Sequence, residues 1–253
     1  MSYFYAWRLS RWKRFFYITL FALIAAILIW SESNNSFSVF SSSDEPSAFV
    51  KGNSNENNIA LTFNISWGEE KVHDILKQLK SNKVQATFFV SGEWAERHPE
   101  ILEKIKKDNH EIGMLGYRYK SYLDQEIAKV RKDILYAKEI FKKLGYDKIT
   151  LMRAPSGHIN KEIIKLIEGL DLKVVHWRVD ADDWENPGTQ KIVDTIMEET
   201  SNGDVILLHA SDSVKQTAEA LSEILPGLKE KGFNFVPVSE LYNQAHAESK
   251  LAE

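Results

Sequence analysis

A chain of 253 residues with 43% hydrophobic and 27% charged side chains is long enough to bury a full core in one sizeable domain. Its net charge of -4 gives no reason to expect a basic face for nucleic acid. The absence of cysteine excludes disulfides, thiolate metal ligands and a cysteine nucleophile.

The amino terminus sets the compartment. A basic tail, residues 1–14, carries Arg8, Arg11, Lys13 and Arg14 and precedes an uncharged, mostly apolar run, residues 15–30. As a helix that run reaches about 24 Å, short of a hydrocarbon core of about 30 Å by an amount that Trp12 and the basic stems make up in the interface. The basic cluster orients its own end to the cytoplasm and the rest of the chain outward, as a single-pass anchor in the cell membrane. The competing reading is a cleaved signal peptide and a secreted product. Against it, the run exceeds the usual signal core and no A-x-A pattern follows it. Both readings export the domain.

Residues 31–58, rich in Ser and Asn and without periodicity, read as a flexible stem. The domain then spans 59–241, and a polar tail, 242–253, follows. IALTFNI (59–65) is apolar and β-prone; the next segment has helical spacing at Val72, Ile75, Leu76 and Leu79. VQATFFV (84–90) is a second strand, and Pro99 opens a helix at its first turn. A longer helix covers roughly Gln125–Leu144 and ends at Gly145. ITLMRAP, LKVVHWRVD, DVILLHA and FNFVPV read as four more strands, with helices around 161–169, 189–201 and 214–231 between them. Alternating β and α elements with apolar strands predict an α/β fold: a distorted parallel (β/α) barrel of about seven strands, with an open doubly wound sheet as the alternative.

In either architecture chemistry belongs at the carboxyl ends of the strands. There the chain places Asn64-Ile65-Ser66-Trp67, Arg153-Ala154-Pro155, Asp180-Ala181-Asp182-Asp183-Trp184 and His209-Ala210-Ser211-Asp212. Polar turn residues are ordinary at such ends. Arg, Asp, His and Trp at successive ends nonetheless predict a polar pocket with aromatic walls.

These segments resemble the polysaccharide deacetylase family (NodB homology, carbohydrate esterase family four), and the whole arrangement resembles its sporulation-associated PdaB-like branch. The similarity runs over about 59–241. The family's T-F-D-D-G motif falls on Thr62-Phe63-Asn64-Ile65-Ser66-Trp67-Gly68, and its H-(S/T)-x-x-H motif on Leu115 to Tyr119, after His110-Glu111-Ile112-Gly113. R-x-P-x-G stands intact at Arg153–Gly157, D-x-x-D-W at Asp180–Trp184, and the apolar-x-Leu-x-His strand end at Val205–His209.

The resemblance implies hydrolysis of the N-acetyl group of a cell-wall sugar, assisted by a divalent ion on one Asp and two His, with an Asp base held by the Arg. Its motif-five His is the acid. Carried over by position, the base is Asn64, which cannot take a proton, and the ligand positions are Ile65, Leu115 and Tyr119. Ile65 and Leu115 have no donor atom, and a phenol is a poor ligand for a zinc-like ion. No metal or other cofactor is therefore expected. The catalytic candidates that remain are His209, Asp180, Arg153 and Asn64, at the degenerate base position; Trp184, Asp183 and Pro155 are candidates for substrate binding. Arg153, deprived of a carboxylate at position 64, is expected to pair with Asp180, Asp183 or an incoming anion. Arg153 and Asp180 have a purely structural reading too, as a buried ion-pair network. His158 reads as a solvated loop residue, His73 and His98 as surface or capping residues, and His176 as a satisfied core or rim histidine.

The expected partner is peptidoglycan or spore-cortex glycan, with the membrane engaged through the anchor. The resemblance implies a chain that acts on or binds that glycan in sporulation, with weak or no turnover. The alternatives are an active metal-independent deacetylase and a structural scaffold in spore-envelope assembly.

Overall fold

The computed structural model describes residues 46–251 apart from residue 54, and side chains through residue 247. The basic tail, the apolar run 15–30 and most of the stem lie outside the described residues. Among the described residues no helix is long and apolar enough to cross a membrane.

Strand β1 (Asn58–Ile65) shows how the layers are built. Its side chains alternate between two environments, as a pleated strand requires. Ile59, Leu61, Phe63 and Ile65 belong to the large core beneath the helices. Ala60, on the other face, joins a second, smaller cluster with Phe89, Leu115, Val175 and Val205 inside the curved sheet. Thr62 and Asn64 share the face of Ala60, so the interior turns from apolar to polar toward the carboxyl end.

Around β1 lie β2 (Thr87–Val90), β3 (Glu111–Met114), β4 (Leu151–Met152), β5 (Lys173–Val174), β6 (Val179–Asp180), β7 (Val205–His209) and β8 (Asn234–Phe235). Their order is β5-β4-β3-β2-β1-β7-β6, with β8 pairing the amino end of β1. Every pairing is parallel. The helices are α1 (Lys71–Ser81), α2 (Gly92–Arg97), α3 (Pro99–Lys107), α4 (Ile127–Lys143), α5 (Lys161–Glu168), α6 (Thr189–Glu199), α7 (Thr217–Glu230) and α8 (Val238–Leu251). Local signals explain several boundaries. Pro99 occupies the first turn of α3, Asn160 caps α5 by accepting from Ile163 N at 2.9 Å, and Gly145 takes φ +85° just past α4.

The expected parallel barrel is thus a distorted one, and three expectations need correction. First, LKVVHWRVD is not one strand. After β5 the chain changes neighbours: His176 N donates to Phe49 O at 2.8 Å and Arg178 N to Val205 O at 2.9 Å, so β6 forms on the opposite side of the gap. Second, the end of the stem is ordered. Phe49 bridges Val175 in parallel and Lys51 bridges Asp204 in antiparallel fashion, so residues 49–52 span the seam between β5 and β7 that no strand pair closes. Phe49 packs edge-on against Tyr242 at 5.1 Å. Third, the polar tail as far as Leu251 continues α8, whose start is held where Thr87 Oγ1 accepts from Val238 N at 3.0 Å and Glu111 Oε2 from Ser239 N at 3.2 Å. Strand β3 escapes a periodicity reading because it is short and contains Gly113. A Cβ there would lie 2.6 Å from the Phe89 ring, so only glycine lets that ring fill the interior.

Candidate functional site

The carboxyl ends of β1, β4, β6 and β7 open into a cavity of about 610 Å³, within the usual size of small-ligand sites. Asn64, Asp180, Trp184 and His209 line it, together with Ser66, Trp67, Tyr119, Ser156, His158, Trp177, Asp182, Leu207, Ser211 and Ser213. Trp67 is 62% exposed and Trp184 52%, so two indoles stand at the mouth. Trp67 follows a strand end that the sequence already marks, in a turn completed by Gly68 at φ +78°; Trp177, inside the stretch read as one strand, does not stand out there as a wall residue.

Arg153 lies beneath the cavity, fully buried. Its Nη1 donates to Asn64 Oδ1 at 2.9 Å, Nη2 to Thr62 Oγ1 at 2.9 Å and His176 O at 3.1 Å, and Nε to Val175 O at 3.4 Å. The guanidinium lies 4.1 Å from the Phe89 ring centroid and 5.3 Å from that of Trp177. All its hydrogen-bond acceptors are neutral, which corrects the expected pairing with Asp180, Asp183 or an anion. Burial pulls its pKa down to about 9, with the charge of Asp180 acting in the opposite sense.

Arg153 also fixes the orientation of Asn64. Guanidinium groups only donate, so Oδ1 must face Arg153 and Nδ2 must face away. Asn64 is 3% exposed and its Nδ2 finds no hydrogen-bond partner among the described residues. Where the family carries an acceptor for a water proton, this cavity receives an N–H donor.

On the far wall His209 Nδ1 bonds Asp183 Oδ1 at 2.7 Å, and Asp183 Oδ2 accepts from His209 N at 2.8 Å and Thr217 Oγ1 at 2.6 Å. An ionised carboxylate cannot donate, so Nδ1 carries the proton and Nε2, across the ring, serves the cavity. Asp183 is itself fully buried and cannot touch a ligand; the reading of it as a substrate-binding residue is corrected to one that positions His209. Pro155 is likewise buried and lies off the cavity wall. Its ring lies beside Gly116, so the reading of it as a substrate-binding residue is corrected as well. Asp180 faces the cavity. Burial raises its carboxyl pKa, reinforced by Asp182 and Asp183 and opposed by His209 and by the 3.0 Å bond from Asp182 N.

The remaining histidines sort by environment. His158 is exposed, as a loop residue should be, yet it borders the cavity. His176 stacks on Trp177 at 3.8 Å, with Nε2 3.0 Å from Gly157 O. His73 is exposed on α1, and His98 Nδ1 lies 3.3 Å from Glu69 at the start of α3.

The residues at the family's metal positions do not fit a divalent ion. Ile65 and Leu115 are fully buried among apolar side chains and lie off the cavity wall. Tyr119 reaches the cavity, but burial raises its phenol pKa, while hydrogen bonding from Ser156 and the charge of Arg153 pull the other way. Among the described residues no group of three or more His, Asp or Glu side chains is arranged to hold a metal.

Comparison with known proteins places this site in a lineage. A polysaccharide deacetylase family model matches residues 51–175. A peptidoglycan-N-acetylglucosamine deacetylase of Bacillus cereus is 35% identical over 209 residues, covering 80% of this chain and 97% of that protein. The chain belongs to the polysaccharide deacetylase family. Within that family it is 33% identical to the peptidoglycan-N-acetylmuramic acid deacetylase PdaC of Bacillus subtilis, covering 74% of this chain and 39% of the relative. It also superimposes on the crystal structure of a carbohydrate esterase family four pseudoenzyme from Bacillus anthracis, with a TM-score of 0.74 and 26% identity over 79% of this chain and 70% of that one. A mutant of that pseudoenzyme with restored enzymatic activity gives the same TM-score.

Proposed function

We propose that this polysaccharide deacetylase-family protein binds the N-acetylated glycan of peptidoglycan or spore cortex during sporulation, with weak or no deacetylase turnover, from a single-pass membrane anchor that holds the domain outside the cell. The observation that carries the reading is the contrast within one site. The ligand positions are occupied by buried Ile65 and Leu115, whereas the cavity keeps its polar floor and its exposed tryptophans. Indole faces at a cavity mouth suit the apolar faces of sugar rings, and the hydroxyl and amide groups between them suit the ring oxygens. Without metal or base, the acyl-transfer transition state loses several kcal/mol of stabilisation. The named activities of relatives in Bacillus point to peptidoglycan as the glycan. The sporulation setting rests on the resemblance to the PdaB-like branch, and export on the basic tail and apolar run.

A second reading is favoured by the His209–Asp183 pair at 2.7 Å, which leaves an oriented imidazole facing the cavity. It is slow, metal-independent deacetylation with His209 shuttling the proton. One experiment separates the two. Binding of the full-length protein to peptidoglycan fragments is measured beside acetate release, with and without chelator. Binding that weakens about tenfold in Trp67→Ala and Trp184→Ala, without acetate release, supports the first reading. Release near the general enzyme median of about 10 per second, unchanged by chelator, replaces it with the second.

A further inference from the structure

Loss of the metal positions changes the charge of the cavity as well as its chemistry. Of the carboxylates in this region, Asp183 is engaged by His209 and Thr217. Asp180 and Asp182 are the two on the wall, and no Lys or Arg lines it. Neither takes part in an ion pair among the described residues. Arg153 is sealed behind Asn64 with its donors turned to neutral oxygens. On the wall of the same cavity, Asn64 presents its unpartnered Nδ2 from a side chain that is almost wholly buried. The wall therefore offers two anionic acceptors for a cation and one aimed donor for a neighbouring oxygen.

A vicinal amine and hydroxyl match that pattern. We propose that the cavity prefers the free-amine form of the glycan, a 2-amino-2-deoxyhexose whose ammonium lies between Asp180 and Asp182 while an adjacent hydroxyl oxygen accepts from Asn64 Nδ2. This inference rests on the glycan-binding reading and replaces its acetylated ligand with the deacetylated one. A cation compensates the half-buried Asp180 carboxylate, which a neutral acetamide leaves without a countercharge. The burial that pushes Asp180 toward its neutral form is the cost that such a cation offsets. The exposed indoles of Trp67 and Trp184 add attraction for an ammonium. The reaction that supplies this ligand is an N-deacetylation carried out elsewhere, so the protein recognises what an active relative makes.

The test is calorimetric titration of the full-length protein at neutral pH with a glucosamine pentasaccharide and with its fully N-acetylated counterpart. The expected result is at least about tenfold tighter binding of the amine form, with a gap that narrows as salt rises. Asp180→Asn and Asp182→Asn should each shrink that gap. Asp182 sits at φ +49° on an exposed turn, a conformation that Asn tolerates, so that variant keeps its fold. Equal or tighter binding of the acetylated sugar overturns this inference while leaving glycan binding intact. A preference that survives both substitutions also overturns it. Binding of neither sugar defeats it together with the glycan reading.

Discussion

Arg153 donates to Asn64 Oδ1 across 2.9 Å, an interaction in which a buried cation is answered by a neutral amide. A hydrogen bond to a charged acceptor is stronger than one to a neutral acceptor by about 1 kcal/mol. Asn64→Asp should therefore raise stability by about that amount in urea melts, while acetate release stays at the level of the parent protein. Arg153→Leu should cost about 3 kcal/mol or more, because it leaves Asn64, Thr62 and two backbone carbonyls without their donor. A loss below about 1 kcal/mol would mean that water reaches those acceptors.

Installing the chemistry that the family resemblance implies needs base and ligands together. Asn64→Asp, Ile65→Asp, Leu115→His and Tyr119→His in one protein should confer one equivalent of bound zinc and chelator-sensitive acetate release from N-acetylated glycan. The parent protein should bind no stoichiometric divalent ion, and chelator should leave its melting temperature unmoved. Ile65 and Leu115 are fully buried, so the combined variant should also melt lower than the parent until metal is added. Zinc bound at one equivalent by the unmodified protein would show that other residues form a site.

The seam between β5 and β7 makes residues 49–52 part of the fold. Phe49→Ala should cost about 1–3 kcal/mol through lost packing against Tyr242 and the interior cluster. Phe49→Pro should cost more, since it also removes the 2.8 Å bond from Phe49 N to Val174 O. Equal melting of the two variants would show that the backbone bridge contributes nothing beyond the ring.

His110 supplies a pH signature. Desolvation lowers its pKa from 6.5 to about 4, outweighing the charge of Asp108, so the folded protein holds it neutral where the unfolded chain would protonate it. A depressed folded pKa gives stability that is complete above 6.5 and is lost as pH falls toward 4. The full loss is of order 3 kcal/mol. His110→Gln should flatten most of this acid limb, leaving the smaller part due to His176, whose pKa burial also lowers. An acid limb of unchanged depth in the variant would assign the effect to carboxylates.

Most of the fold was legible where apolar runs and breakers coincide, as in β1 and in α4 with Gly145 behind it. The failures came where tertiary neighbours decide. His176 and Arg178 belong to an apolar stretch that reads as one strand, and only the partners on either side of a gap divide it. Phe49 and Lys51 carry no pattern, since two isolated bridges need no periodicity. In the site, residue identity alone predicted side chains without donor atoms at positions 65 and 115. It could not reveal that Arg153 and Asp183 act from beneath the surface, or that Trp177 stands in the wall, because strand-end positions do not say how deep a side chain lies.

The three hydrogen bonds that converge on Asp183 join the turn at Asp183–Glu185 to the end of β7 and to the first residue of α7. That carboxylate is a joint of the scaffold as well as a support for an imidazole. On the proposed reading, a protein without turnover can dispense with an ion and its ligands. It cannot discard Asp183 so freely, because the rim would come apart. In such proteins an intact D-x-x-D-W signature records architecture, and turnover has to be established from the ligand positions instead.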